Sequence, residues 1–369
     1  MKRPGLPWVV VFVLAIATAY AGRESDSQER VVPSQMCGEY FLIPLEVDLD
    51  GDGESTTLLA LFDTGGAGLH IDPDAVRRAG GGAVEVRKQI TIRNATAGPL
   101  TFRKLRPYTR ELDHLSRPLG IEIDIFLPFR DFADHLLTLD FPRREIRIAE
   151  GRLPRPDRVE VFSARGPDRR PYLEVEIAGR EHRLLVDSGS SGSIAIEPGR
   201  ELPWSTAPVP VSVSQGMEQL FYSDLGRLDA NIEIGGVTVE QPLVKIRAGT
   251  ELIGTDIMRR FVWTFDQKSR RMRIRSDSRE PLRLPARRGT GAVFLPTPEG
   301  YEIARVLAGT PAESAGLRVG DLVVAFDGTP VFERGCERWQ EEHRTETTLT
   351  VVREGRELDL QVEIIDIVP

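Results

Sequence analysis

The sequence predicts a mainly β protein made of a duplicated unit of about 125 residues, followed by a small α+β domain. Three observations predict it. First, an apolar, strand-like run ending in aspartate, a hydroxyl residue and glycine occurs at residues 58–65 and again at 183–189, placing Asp63 and Asp187 124 residues apart. Second, Leu136-Leu137-Thr138-Leu139-Asp140 is echoed by Val262-Trp263-Thr264-Phe265-Asp266 at an offset of 126, each with a basic tail. Third, Leu45-Glu46-Val47 is echoed by Leu173-Glu174-Val175 at an offset of 128. Features in one order at nearly one offset mark an internal repeat. Neither copy holds a long 3.6-period stretch, so the repeat is a β unit.

From the start of the chain, Met1 to Ala21 reads as a secretory signal. Lys2 and Arg3 are followed by the apolar stretch from Trp8 to Ala17 and the small-x-small site Ala19-Tyr20-Ala21. The apolar stretch is short for a bilayer span. A soluble protein exported to the periplasm or secreted is expected, with an uncleaved anchor as the alternative. Residues 22–36 are polar and read as a loose segment. The first unit is assigned to residues 37–152 and the second to 153–276, with an Arg- and Pro-rich stretch at 151–171 between them. A linker at 277–288 precedes the terminal domain at 289–369.

Within the first unit, residues 40–48 alternate as a strand and enter the turn Asp48-Leu49-Asp50-Gly51-Asp52-Gly53. That turn begins like a calcium loop. Leu59 stands where a bidentate Glu belongs, so a hairpin turn is the better reading. Asp72-Pro73 supplies an N-cap and first-turn proline for a short helix that Gly80 ends. Asn94-Ala95-Thr96 fits a glycosylation pattern, but an ordinary turn is the better reading. In the second unit, short alternating runs between Val209 and Ile246, broken at Gly226 and Gly235-Gly236, have the rhythm of an antiparallel sheet.

The net charge of −8 argues against nucleic acid as a partner. The arginines are scattered, as on a solvated surface. Cys37 and Cys336 permit one disulfide in an exported protein, or stay as two thiols; sequence separation does not decide. The five histidines, His70, His114, His135, His182 and His343, follow no His-Glu-x-x-His spacing, and no serine sits in a Gly-x-Ser-x-Gly elbow. No glycine-rich phosphate loop opens a helix. No cofactor and no metal are expected.

If the two units pack about a pseudo-twofold axis, Asp63 and Asp187 face each other. Like charges about 3 Å apart cannot both ionise, so the pair holds one proton, with one carboxylate to accept and one carboxyl to donate. Gly65 and Gly189 allow the close backbone approach. The hydroxyls of Thr64 and Ser188 can satisfy polar groups at the crossing.

Both stretches resemble the active-site loops of aspartic proteases, the pepsin and retropepsin superfamily, over residues 38–275. Leu252-Ile253-Gly254 resembles the family's hydrophobic-hydrophobic-Gly element behind the catalytic loop. The resemblance implies two retropepsin-like β-barrel lobes in a pepsin-like body and an aspartic endopeptidase acting on polypeptide. It further implies Asp63 and Asp187 as catalytic dyad, and a monomer that needs no partner to complete its site. Gly254 aligns with Pro128, which lacks an N–H, so the support behind Asp63 must differ. Ser190 stands where the first loop has Gly66. By the resemblance its hydroxyl should bond Asp187, leaving the shared proton mainly on Asp63. The competing reading is a non-catalytic peptide-binding or scaffold protein on the same fold. Residues 82–110 and 212–228 are candidates for covering the cleft.

In the terminal domain, Thr310-Pro311-Ala312-Glu313 forms a capping box closed by Gly316, and 322–326 reads as a strand turning at Asp327-Gly328. A second helix is expected at 338–344 and a closing strand pair at 347–352 and 358–365. Residues 308–317, with Gly320-Asp321 and Asp327-Gly328, resemble a PDZ domain. The likeness implies capture of a C-terminal peptide ligand by strand addition, with Gly291-Ala292-Val293-Phe294 as carboxylate-binding loop. Packing against the preceding units is the alternative use.

Overall fold

The computed structural model describes residues 28–215, 220–333, 335–336 and 344–369. The expected signal at 1–21, His343 and most of the second helix of the terminal domain lie outside the described residues. What is described is mainly β, with no helix long and apolar enough to cross a membrane.

The two halves share one motif. An antiparallel hairpin runs into an aspartate, and its second strand lies parallel to a short strand from later in the same half. In the first half the hairpin is Tyr40–Asp48 with Thr56–Asp63, and the parallel partner is Ile125–Pro128. In the second it is Tyr172–Ile177 with Arg180–Val186, beside Leu252–Ile253. The alternation of Tyr172–Ile177 puts Leu173, Val175 and Ile177 inside and Glu174 and Glu176 outside. The helix Pro73–Arg78 is capped by the Asp72 carboxylate, which accepts from the Asp74 N–H at 2.8 Å. Asn94 to Thr96 is not a turn; it lies within the strand Ile92–Ala97.

A six-stranded sheet joins the halves. At its centre Leu136–Asp140 and Val262–Asp266 pair antiparallel, in a register symmetric about Thr138 opposite Thr264. Their hydroxyls meet at 3.0 Å, so the pseudo-twofold axis passes between residues 126 apart. The repeated aspartate closes each hairpin from a buried position. Asp140 accepts from the Arg143 N–H at 3.0 Å and pairs with the Arg143 and Arg147 side chains. Asp266 accepts from the Ser269 and Leu153 N–H groups at 2.9 and 3.0 Å.

The outer strands of this sheet correct two expectations. Arg30–Val32 comes from the segment read as loose, yet it pairs with Glu145–Ala149 and buries Val32 completely. Val161–Ser163 comes from the stretch between the units and pairs with Arg271–Arg275. Polar composition hid both, because edge strands bury only part of one face.

The terminal domain has its own sheet and its own core of Ile303, Val323, Leu349, Val351 and Val362. Its helix Pro311–Ser314 corrects the capping box. Thr310 donates its hydroxyl to the Leu307 carbonyl at 2.7 Å instead of accepting from the helix, and Glu313 accepts from the Gly309 N–H at 2.8 Å. The expected linker is structured. Leu282–Arg283 pairs with Val237–Glu240, Leu284 is buried, and Arg287–Gly289 pairs with the strand Ile365–Val368. Arg227 is buried beneath it, donating to the carbonyls of Gln241 (2.9 Å), Leu284 and Pro285 (both 3.2 Å) and to Pro369. A disulfide joins Cys37 in the first half to Cys336 in the terminal domain, closing a sequence separation of 299 residues.

Candidate active site

Asp63 ends its strand opposite Pro128. Asp187 follows its strand, and its N–H donates to the Ile253 carbonyl at 2.9 Å. Thr56–Asp63 runs at the centre of its sheet and Arg180–Val186 one strand in from an edge, and both are buried over their last residues, so each loop leaves the core from a fixed strand end.

The loops interlock through their hydroxyl residues. The Thr64 N–H donates to Ser188 Oγ at 3.0 Å, and the Ser188 N–H donates to Thr64 Oγ1 at 2.8 Å. Thr64 Oγ1 in turn donates to the Val186 carbonyl at 2.7 Å. Thr64 and Ser188 are buried, so these bonds satisfy groups that water does not reach.

Above this crossing the two carboxyls hydrogen-bond each other. The Gly189 N–H lies 3.0 Å from Oδ1 of both Asp63 and Asp187, and the Gly65 N–H donates to Asp63 Oδ1 at 2.7 Å. A Cβ added at Gly65 would fall within 3.0 Å of the Asp187 carboxylate, and one at Gly189 within 3.0 Å of Asp63. Glycine is required at both positions because the opposite acid occupies the space of a side chain.

The pair is asymmetric. Burial and the neighbouring charge of Asp187 raise the Asp63 carboxyl well above the ordinary range. Burial raises Asp187 too, but the hydrogen bond from Asp63, the Gly189 N–H and the guanidiniums of Arg247 and Arg170 oppose the rise. Asp63 therefore carries the shared proton and Asp187 the charge. The direction is the one expected, but the cause is not Ser190. Among the described residues its hydroxyl makes no bond to Asp187. Its N–H donates to the Asp187 carbonyl at 3.3 Å, and its own carbonyl accepts from the Thr255 N–H at 3.0 Å.

Behind the second loop, the Gly254 N–H donates to the Ser193 carbonyl at 2.6 Å, and the short helix Thr255–Met258 follows. Leu252 and Ile253 are buried against the loop's strand. Behind the first loop, Pro128 has no such donor and leads into the 3₁₀ turn Phe129–Phe132. Arg130 from that turn donates to the Ala67 carbonyl at 3.1 Å. Arg170, from the segment between the halves, donates to the Gly65 carbonyl at 2.8 Å.

The structure thus brings together Asp63, Thr64, Gly65, Asp187, Ser188, Gly189 and Ser190, with Leu252, Ile253 and Gly254 behind. The sequence reading missed Arg130, Arg170, Lys245 and Arg247. A lone basic residue in an arginine-rich chain carries no local pattern, so only the fold selects these four. His182 donates or accepts at Nδ1 with Glu251 at 3.0 Å and is buried, while its Nε2 has no hydrogen-bond partner. Asp48, Asp50 and Asp52 gather their carboxylates within 4.8 Å at an exposed hairpin turn. Asp48 there accepts from Gly51 N–H at 2.6 Å and from Asn94.

In the terminal domain, Ala292–Pro296 is an edge strand of its sheet. Gly291 has φ +89°, and its carbonyl accepts from the Leu307 N–H at 2.9 Å. The Ala292 N–H is directed to Thr290 Oγ1 at 3.2 Å, Val293 is buried, and Phe294 packs on Tyr301 and Phe326.

Residues 302–353 match the PDZ domain family. The PDZ domain is a minor part of the chain, and a second comparison is equally local. A protein of Synechocystis sp., whose name HhoA describes it as a serine protease, is 55% identical over 38 residues, covering 10% of this chain and 10% of that protein. The chain thus spans about a tenth of the relative's length in the match. This finding overturns the expected activity. The relative is named as a serine protease, and the assignment of an aspartic-type endopeptidase, with the aspartyl and retropepsin-like labels for its activity, is withdrawn.

Proposed function

We propose that this chain binds polypeptide through its PDZ domain and that Asp63 and Asp187 form a single acid–base site holding one proton. The observation that carries the reading is the Gly189 N–H shared at 3.0 Å by both carboxylates, which fixes two acids in one place. Asp63 is the donor to a polar group such as a carbonyl, and Asp187 the acceptor. Gly65, Gly189, Thr64 and Ser188 set the geometry, with Leu252, Ile253 and Gly254 packed behind. One chain carries both acids, so the site needs no second copy. As a fold, the halves are two retropepsin-like lobes in residues 37–152 and 153–276; this concerns architecture only. The PDZ part, residues 289–369, would add a C-terminal peptide as a strand along Ala292–Pro296, with Gly291 to Phe294 at its carboxylate end. The signal-like start supports export to the periplasm or beyond.

The test uses the full chain in two readouts. NMR titration of the Asp63 and Asp187 carboxyls should show one proton retained by the pair above the ordinary carboxylate range, and Asp187→Asn should lower the Asp63 titration by removing the neighbouring charge. Calorimetry with a peptide ending in a free carboxylate should show binding that amidation of that terminus abolishes. Two acids that titrate independently in the ordinary range would overturn the single-site reading, and equal binding of the amidated peptide would overturn the PDZ reading.

A further inference from the structure

Each acidic loop offers a backbone carbonyl at an equivalent position to a cation, the first loop also offering Gly65 O to Arg170. Ala67 and Ser191 both lie four residues after their aspartate. Ala67 O accepts from Arg130 Nη1 at 3.1 Å, and Ser191 O accepts from Lys245 Nζ at 2.7 Å. We propose that Lys245 is a positioning residue for Asp187, pinning the loop 187–192 from beneath as Arg130 pins the first loop from outside. The consequence for chemistry rests on the acid–base reading above; the positioning role does not.

The two cations reach their carbonyls differently. Arg130 comes from the turn behind the first loop and its bond is exposed. Lys245 comes from the strand Leu243–Ile246, where it stands opposite Ala195 in the parallel pairing with Ile194–Ile196. Ala195 also stands opposite Leu252, as His70 stands opposite Phe126, so the corresponding pair in the first half is His70 opposite Tyr108. Tyr108 is an exposed aromatic side chain and carries no cation. The lysine therefore has no charged counterpart across the axis.

Space and charge around Lys245 are matched to the loop. Gly192 has φ +100°, and a Cβ there would come within 3.0 Å of Lys245 Cε and Nζ, so the lysine stem fills the room beneath the loop. Glu39 and Asp256 face the ammonium with favourable charge, while Arg287 and Arg247 oppose it. Asp256 lies on the short helix behind the loop, and Glu39 reaches it from the turn before Tyr40–Asp48, accepting from the Thr255 hydroxyl and pairing with Arg259 at 3.5 Å. Burial is the largest influence and lowers Lys245 to about 8.

That lowering has a sign that separates positioning from simple structural support. A base whose folded value lies below its unfolded value is disfavoured, as the ammonium, by folding. The cost is full below about pH 8 and fades as pH rises toward the ordinary lysine value of 10.5. Lys245→Met keeps most of the volume and removes this cost, so it should not lower the melting temperature at pH 7. It should nonetheless release the loop.

Hydrogen exchange of the full chain, resolved to residues 188–192 and 64–67, tests this. In Lys245→Met the amides of 188–192 should exchange at least tenfold faster at pH 7, while 64–67 stays as in wild type. Lys245→Arg should restore protection, and Arg130→Gln should loosen 64–67 alone. Unchanged exchange at 188–192, or equal acceleration of both loops with a lower melting temperature, would overturn the proposal. In the NMR titration of the two carboxyls, Lys245→Met should move the Asp187 carboxyl while Lys245→Arg leaves it as in wild type. If the two acids titrate as one pair and Lys245→Met moves neither, the consequence for the acids fails by itself. If they titrate independently, the acid–base reading fails and the exchange result still decides the loop.

Discussion

Asp63 and Asp187 leave equivalent strands at equivalent heights, yet their loops are held by different means. The second loop is supported from inside: Gly254 donates to Ser193, Lys245 to Ser191, and Arg247 lowers the Asp187 carboxyl electrostatically. The first is supported from outside: Pro128 offers no donor, and Arg130 and Arg170 reach in to Ala67 and Gly65. A repeat that began symmetric has diverged in its supports while keeping its crossing. The lesson is that the central bonds fix where the acids are, while the guanidiniums of Arg247 and Arg170 both act to lower Asp187 and leave Asp63 the higher of the pair.

The largest expected effect comes from breaking what the loops share. Gly65→Ala or Gly189→Ala places a methyl on the opposite carboxylate and should separate the acids by about 1 Å or more, so that the Asp63 carboxyl falls toward the ordinary range in an NMR titration. Circular dichroism should stay that of wild type, because the clash is confined to the loop. Next in size, Thr64→Val and Ser188→Ala each remove part of the crossing, at about 1–3 kcal/mol in urea unfolding for a buried polar group left unpaired. The double variant should cost less than the sum, since the two residues bond each other; strict additivity would show that the crossing is not one unit.

Smaller effects sharpen the difference between the halves. Asp131, in the turn behind Pro128, is raised by burial to about 6, against the opposing charge of Arg130. The stabilisation that goes with its protonated form is complete below about pH 4 and is lost as pH rises through 6. Asp131→Asn should therefore be neutral at pH 4 and more stable than wild type at pH 8, by about 1 kcal/mol after solvent screening, in paired thermal melts. Finally, Arg247→Gln removes a cation that holds Asp187 down. The Asp187 carboxyl should rise toward Asp63, read directly by NMR titration of the two carboxyls. A shift in the opposite direction would show that Arg247 acts on Asp63 instead.

Much of this arrangement was legible in residue order. The offset of 124 marked Asp63 and Asp187 as equivalent, and the offset of 126 marked Thr138 and Thr264, although their pairing across the axis came only with the fold. Pro128 against Gly254 was legible too, with the consequence that support must differ. The supporting cations were not. Lys245 lies 54 residues from the carbonyl it holds and Arg130 lies 63 from its own, distances at which no local periodicity survives. The edge strands Arg30–Val32 and Val161–Ser163 escaped because each buries little, and the linker escaped because its anchor, Leu284, is a single apolar side chain. The nature of the activity was misread because a local motif was taken to name a whole reaction class.

The Cys37–Cys336 bond ties the first half to the terminal domain, turning the polypeptide between them into a covalent ring. A single backbone nick anywhere inside that ring opens it without releasing a piece. Such a molecule would migrate as one band until a thiol is added, then as two. Dilution, or one cleavage between the two cysteines, therefore leaves the terminal domain attached.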